Sequence, residues 1–469
     1  MASQPMNSSM PPNDTYGGDE IQAIILDAGY SSVRAGFAGE DTPKSFFSSS
    51  YGVTGNRTIF SDEDIHNPLL PELEIRNPMS KEGIVEDWDA ATQLWEHAIT
   101  SRLIRTKQGD PRTNGLNDVG GKDGIDVDMD APDEEEKPLE EHPLLITETA
   151  WNTSKNREKA IEIAMENWGV PAFWLARNSV MASFAAGKAT ALVIDLGAST
   201  ASVMCIHDGL ILKKSVQKSP LAGNWVSSQI RSLFGSMDPK VEVTPHFMIS
   251  SKTPVDAGAP AQATYQKFEN KITDSFRASE EERVLTEFKE SVVQVYPGPG
   301  RLHYPHPVNG ILNLENVKMS PGRVFEFPDG SNQMWGVDRM RIVEGLFDEK
   351  YALPTSEPPI TKAQTIPEMV RASVSAVDVD LRPALLANIV VTGGTTLLQG
   401  FTDRLNWEIS SLFPSARIKI TAAGLTSERR FGSWVGGSIL GSLGTFHQMW
   451  ISRKEYEEFG ASVVEKRCK

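Results

Sequence analysis

The chain has 469 residues, 39% of them hydrophobic and 23% charged, which is room for two or more domains with sizeable cores. A net charge of −16 argues against a broadly basic nucleic-acid surface, and no apolar run approaches the roughly 20 residues of a membrane span. Cys205 and Cys468 are far apart, with no histidine at metal-ligand spacing, which predicts free thiols in a reducing compartment.

Residues 1–19 are rich in Ser, Pro, Asn and Gly, lack the charged and apolar regions of a secretory signal, and read as a disordered tail. Ile24-Ile25-Leu26-Asp27-Ala28-Gly29 follows, an apolar run that predicts a buried strand ending in Asp-x-Gly. From Ser48 to Pro78 the chain is polar and repeatedly broken by Gly, Asn and Pro, so its short strands cannot be placed. Asp87 is positioned to cap a helix whose apolar face holds Ala91, Leu94, Trp95, Ala98 and Ile99. Between Asp110 and Glu141 lie twelve acidic and three basic residues, a net of −9, with few large apolar side chains. Such a stretch cannot bury enough surface to offset its ordering entropy and reads as a disordered insertion over 105–141. A solvated, repulsive loop is its plain role, with histone mimicry or a basic partner as the alternative.

Pro143 to Thr147 predicts a second buried strand. Helices follow from near Lys155 to Trp168, closed by Gly169 and Pro171, and from near Asn178 to Gly187. Leu192-Val193-Ile194-Asp195-Leu196-Gly197 then repeats the first motif. A helix is expected after Leu221-Ala222-Gly223. Residues 235–282 read as a second insertion or a loosely ordered lobe, and Ser279 to Val292 as a helix. Val324 to Gly330 signals a hairpin. The apolar run Ile389-Val390-Val391 leads into Thr392-Gly393-Gly394-Thr395-Thr396. The last long helix is expected over Gly432 to Gln448, with Gly436, Gly437, Gly441 and Gly444 costing about 1 kcal/mol each relative to Ala, which suggests close packing or a groove floor.

A single Asp-x-Gly after a strand is usually an ordinary turn. Two copies followed by hydroxylated residues (Ser31 and Ser32; Ser199 and Thr200), together with a third glycine turn, predict a duplicated fold with a nucleotide in the central cleft. Glycine lets backbone N–H groups approach and nest an anion. The Asp27 and Asp195 carboxylates would repel bare phosphate, so they call for a divalent cation and its waters between.

Several further stretches carry a resemblance. Val33-Arg34-Ala35-Gly36-Phe37-Ala38-Gly39, Glu141-His142-Pro143-Leu144-Leu145, Asn156-Arg157-Glu158-Lys159, Gly393-Gly394-Thr395-Thr396, Trp434-Val435-Gly436-Gly437-Ser438-Ile439-Leu440 and Gln448-Met449-Trp450-Ile451-Ser452 are similar to actin. The likeness covers nearly everything outside the tail and the two insertions. The acidic insertion and altered nucleotide loops resemble the nuclear actin-related class that includes the animal BAF-complex actin-like subunit.

The resemblance implies an α/β fold: a duplicated actin-like arrangement of the ribonuclease H-like, sugar kinase and chaperone ATPase type, with two lobes of mixed sheet and helices around a nucleotide cleft. Residues 20–187 plus 432–469 would form the first lobe (subdomains 1 and 2), and residues 188–431 the second (subdomains 3 and 4). The resemblance places ATP, with magnesium held through water by Asp27 and Asp195, in that cleft. Asp27, Gly29 and Arg34 would belong to the first phosphate loop and Asp195, Gly197 and Ser199 to the second. Lys289, Glu290, Gly223 and Arg430 would line the nucleoside with Gly393, Gly394 and Thr395. Arg430 stands where actin has lysine, and Leu398 replaces an aromatic that packs on the base. Tyr30 and Ser31 stand where actin has serine and glycine beside the terminal phosphate. Ala198 replaces a carboxylate that orders metal-bound water, Ser202 a histidine and Asn178 a glutamine near the attacking water. Hydrolysis needs a positioned water and a polarised terminal phosphate. The clamp is kept while much of the water apparatus is lost, so negligible turnover is expected.

The resemblance further implies a nuclear subunit of chromatin-remodelling and histone acetyltransferase complexes. It would dock with actin on a helicase-SANT-associated helix of a remodelling ATPase or scaffold, and its acidic surface suits histones or a nucleosome. The docking groove would be Phe184, Gly187, Leu440, Leu443, Thr445 and Met449, with Leu440 and Leu443 sharing a helix face. Taken alone, that leucine pair reads first as core, and only the resemblance makes it a docking surface. A filament-forming cytoskeletal protein is the main alternative, but residues 52–78 bear no likeness to actin's intersubunit loop, so no homopolymer is expected. An ATPase of the sugar kinase or chaperone type would need a catalytic carboxylate or a substrate domain, and neither is visible.

Overall fold

The two apolar runs that end in Asp-x-Gly are central strands of two different sheets. This arrangement is seen in a computed structural model that describes residues 22–103, 137–298, 302, 321–355 and 358–469. The N-terminal tail and all but the last five residues of the acidic insertion lie outside the described residues.

In chain order, β1 (Ile24–Ala28), β2 (Ser32–Phe37) and β3 (Ser45–Ser48) are followed by three short strands, β4 (Tyr51–Thr54), β5 (Arg57–Ile59) and β6 (Glu74–Arg76). Next come β7 (Leu144–Glu148) and β8 (Ala172–Arg177), then β9 (Ala191–Leu196), β10 (Ala201–His207), β11 (Leu210–Ile211) and β12 (Gln217–Ser219). Two hairpins, β13 (Ile249–Thr253) with β14 (Gln262–Tyr265) and β15 (Arg323–Glu326) with β16 (Asn332–Trp335), precede β17 (Ile389–Thr392), β18 (Ile420–Ala422) and β19 (Ile451–Ser452). The first sheet runs β19-β8-β7-β1-β2-β3 and the second β11-β10-β9-β17-β18, with β12 added beside β10. Each sheet pairs its central strand antiparallel to the next in sequence and parallel to a later one: β1 with β2 and β7, β9 with β10 and β17. The family-level reading of an α/β, duplicated two-lobed fold is what the structure shows.

Each sheet anchors its own core. Ile24, Ile25, Leu144, Leu145, Phe173 and Trp434 belong to one, and Leu192, Ile194, Phe234, Phe288 and Phe401 to the other. The expected faces hold locally. Asp87 caps the Trp88–Thr100 helix by accepting from Ala90 N, and Ala91, Leu94, Trp95, Ala98 and Ile99 are all buried.

Four expectations change. The helix from Ser154 ends at Glu162 and continues as a π-turn over Ile163–Asn167. The polar stretch after Ser48 builds a three-stranded sheet in the order β5-β4-β6. Within 235–282 the chain is folded: it forms the β13–β14 hairpin and the start of a helix that begins at Asp274, five residues before the expected Ser279, because Thr273 caps it through Phe276 N. The late glycine-rich helix stops at Ser442. Leu443 turns to φ −75°, ψ 121°, and Gly444–Gln448 forms a 3₁₀ turn. Leu440 and Leu443 therefore do not share one helix face.

That helix's glycines serve packing. A Cβ on Gly436 would sit 1.8 Å from the Met181 carbonyl oxygen, so the Gly432–Ser442 helix lies backbone to backbone against the Asn178–Ala185 helix. Gly441 likewise faces Ala38 and Ile25, not an open groove.

Candidate functional site: a cavity between two copied hairpins

The β1–β2 and β9–β10 turns close in the same way. Gly29 N donates to Ser32 O, and Gly197 N to Thr200 O, each at 3.0 Å. The register sets Asp27 opposite Arg34 and Asp195 opposite Ser202. The first loop is braced by Ser49 Oγ, which donates to Gly29 O at 2.6 Å, and by Asn77, whose amide donates to Tyr30 O at 2.8 Å. The second is braced by the start of the Gly223–Ser236 helix, where Gly223 N donates to Gly197 O at 3.1 Å and Asn224 N to Ala198 O at 2.6 Å. The third turn locks onto the second hairpin. Thr395 Oγ1 donates to Gly197 O at 2.8 Å, and Gly393, at φ +96°, comes so close that a Cβ would lie 2.2 Å from Leu196 O.

These loops face one cavity of about 890 Å³. Asp27, Gly29, Tyr30, Ser31 and Arg34 line it from the first lobe, and Asp195, Gly197, Ser199, Gly223, Lys289 and Glu290 from the second. Gly393, Gly394, Thr395 and Arg430 complete the wall, so every residue read from the sequence as nucleotide-binding lines one space. Ala198, Ser202, Asn178 and Leu398 line it as well.

The electrostatics are uneven. Arg34 Nη1 donates to Asp27 Oδ2 at 2.6 Å, while Arg34 Nε is buried without a partner. Burial and then the neighbouring Asp27 charge push the Asp195 carboxyl up to about 6, with Arg34 pulling the other way. Lys289 Nζ bridges Gly223 O at 3.2 Å and Glu282 Oε1 at 3.1 Å. Arg430 stacks 5.2 Å over Phe46 and Arg34 5.5 Å over Phe431, and burial followed by Arg34 depresses the Arg430 guanidinium. Burial, then Glu282 from the opposite lobe, raises the Tyr30 phenol. Glycine-lined turns, two guanidinium groups and an ammonium suit a polyphosphate. Two facing carboxylates, one of them held above its ordinary range, suit a divalent cation whose remaining positions fall to phosphate and water.

Sequence reasoning missed Glu282, Phe46 and Thr147. Glu282 falls at the end of the expected insertion, although it lies seven residues before Lys289, two turns of one helix and hence one face. Thr147 Oγ1 donates to Asp27 Oδ1, which parallel strand pairing alone brings about. Phe46 carries no local signal.

The groove residues behave differently. Phe184 and Leu440 are half-buried against the first core, while Leu443 and Met449 are 46% and 44% exposed. Gly187, at φ +67°, and Gly444 are open: a Cβ at either position would meet nothing within 4 Å.

This duplicated cleft is that of the actin family, to which the chain belongs: the family's sequence pattern spans residues 18–469. Within that family, the chain is 59% identical to actin-related protein 4 of Gibberella zeae over 100% of both chains. It is 36% identical to actin-related protein 4 of Schizosaccharomyces pombe over 97% of this chain and 99% of that one. It is 34% identical to the SWI/SNF and RSC complexes subunit arp42 of the same yeast, over 96% of this chain and 100% of that relative.

Proposed function

We propose that this protein is a non-catalytic nuclear subunit of chromatin-remodelling and histone acetyltransferase complexes, and that ATP with magnesium is a structural ligand of its cleft. One observation carries the ligand reading: the residues suited to clamp a polyphosphate converge on a single cavity. The likeness to actin supports the absence of turnover, since it sets Tyr30, Ala198, Ser202 and Asn178, which line the same cavity, in place of the family's hydrolytic groups. Asp27 and Asp195 would orient the ion's waters, and Arg34, Arg430 and Lys289 would hold phosphate charge. The relatives' names support the chromatin role. A ligand bound only by the folded state stabilises it by mass action, so ATP would fasten the lobes together.

The test is to denature purified, magnesium-supplied protein, chromatograph the released ligand, and follow phosphate release in a single turnover. Stoichiometric ATP with negligible phosphate release is expected. An empty cleft, or release at an actin-like rate, refutes the reading.

The second element is docking. Leu443 and Met449 are exposed and Gly187 and Gly444 are open, which suits helix-in-groove recognition by a helicase-SANT-associated helix, with actin bound alongside. Leu443→Asp should weaken binding of that helix by several kcal/mol, about a hundredfold or more, without displacing ATP. Unchanged helix binding by folded, ATP-loaded variant would show the groove to be misplaced.

A further inference from the structure

The first sheet has two faces, and they are covered differently. Asp27 and Thr147 point one way, since Thr147 Oγ1 donates to Asp27 Oδ1. So do Ile25 and Leu145, which a Cβ on Gly437 would meet, and the Gly432–Ser442 helix covers that face. Ile146 and Leu175 are partners in the β7–β8 register, and Glu148 and Arg177 are the next pair on the same side. By the two-residue alternation of a strand, all four point away from the glycine-rich helix. The Ser154–Glu162 helix lies on this second face, where its Arg157 pairs with Glu148 at 3.0 Å. The Trp88–Thr100 helix is tied beside it by Trp88 Nε1, which donates to Asn156 Oδ1 at 3.1 Å.

The cavity extends onto this second face. Trp88, Trp95, Ile146, Ala160 and Leu175 line it there, all from the first lobe and none from a phosphate loop. Trp95 is 3% exposed, and its indole Nε1 has no hydrogen-bond partner among the described residues. Thr149 Oγ1, from another cavity-lining residue, is buried and unpartnered in the same way. The charged groups, by contrast, are saturated. Glu148 gives Oε1 to Arg157 and, at 2.9 Å, to Arg177, and its Oε2 accepts from the Asn152 amide at 2.8 Å. An ion entering this recess would shed its hydration and find no free counter-charge, so phosphate and metal are both excluded. Apolar space of this kind stays dry and takes small apolar molecules. A buried donor without a partner carries a desolvation cost that a ligand's acceptor would remove.

We propose that this recess is a second binding site, for an uncharged, mostly apolar small molecule that carries one hydrogen-bond acceptor for Trp95 Nε1. The ligand enters through the main cavity and rests on the indole walls of Trp88 and Trp95, which meet edge to face at 5.9 Å. The site does not require the main cavity to hold a nucleotide. It lies across the first sheet from Asp27, so occupation of one leaves the other free.

The test follows the fluorine NMR signal of para-fluoroacetophenone added to the full chain, with and without magnesium and ATP. Wild type should shift and broaden the signal saturably in both conditions. Trp95→Phe keeps an aromatic wall and removes the donor, and should weaken binding about tenfold. Ala160→Leu fills the recess and should abolish binding. Para-fluoroethylbenzene, which lacks the carbonyl, should bind wild type about tenfold more weakly than the ketone, which keeps the test open if either variant fails to fold. The proposal falls on any of three results: no saturable shift with wild type, equal binding of the two probes by wild type, or complete displacement of the ketone by ATP. The first two leave the nucleotide reading untouched, and the third would support it.

Discussion

Asp27 and Asp195 hold the same place in two copies of one hairpin, but their surroundings differ. Across the strand pair Asp27 meets Arg34, and from the parallel strand Thr147 donates to it. Asp195 meets Ser202, and its parallel neighbour Thr392 turns its hydroxyl to Arg429 O at 3.0 Å. Among the described residues no salt bridge reaches Asp195, and burial holds its carboxyl near 6. The duplication thus preserved backbone geometry and left charge compensation on one side only. The first lobe carries its own cation beside the carboxylate; the second carries none paired to Asp195 among the described residues.

Removing the built-in cation should have the largest effect. Arg34→Ala strands a mostly buried Asp27 and raises Asp195 further, since Arg34 is what pulls it down. A loss of about 3 kcal/mol is expected in urea denaturation of ligand-free protein. A loss below about 1 kcal/mol would mean that the two hairpins are electrostatically equivalent after all.

Asp195→Asn acts on the other side. The wild-type carboxyl titrates near 6 in the fold against 3.8 in its absence, so the folded state binds the extra proton. Its contribution to stability is full below about pH 4 and is lost as pH rises through 6. Allowing for water in the cleft, the loss by pH 7.5 is about 1–2 kcal/mol. In nucleotide-free, magnesium-free buffer the Asn variant should therefore be the more stable at pH 7.5, and the difference should vanish near pH 4. It should also gain less from magnesium and ATP. A difference independent of pH would contradict the assignment.

Ser202→Arg sharpens the comparison by giving the second hairpin what the first has. With Asp195 directly opposite, ligand-free stability at pH 7.5 should rise by about 1 kcal/mol and the magnesium-dependent gain should shrink. An unchanged magnesium response would show that Asp195 does not face the ion.

Much of this was legible locally. The runs before Asp27, Asp195 and Gly393 are apolar and short, and each ends in a glycine turn, so strand and turn were both readable within six residues. Asp87 announced its helix by cap and period together. Where sequence and structure part, the deciding partner is distant. The Gly432 helix ends at Ser442, although its composition continues to be apolar, and Phe276 is by sequence one aromatic in a polar insertion.

The amino-acid sequence by itself determined the duplication and the central strand of each sheet, because period, turn chemistry and capping act over a few residues; most of the residues that surround the cavity were implied by the likeness to actin. Only the tertiary structure decided which carboxylate received a cation, which glycines were packing surfaces, and that the β4–β6 sheet closes over Phe276. The last two depend on groups brought together across 200 or more positions, as Leu73 and Thr273 are, and the first on strand pairing that sets Arg34 against Asp27; burial, not local propensity, sets their energy.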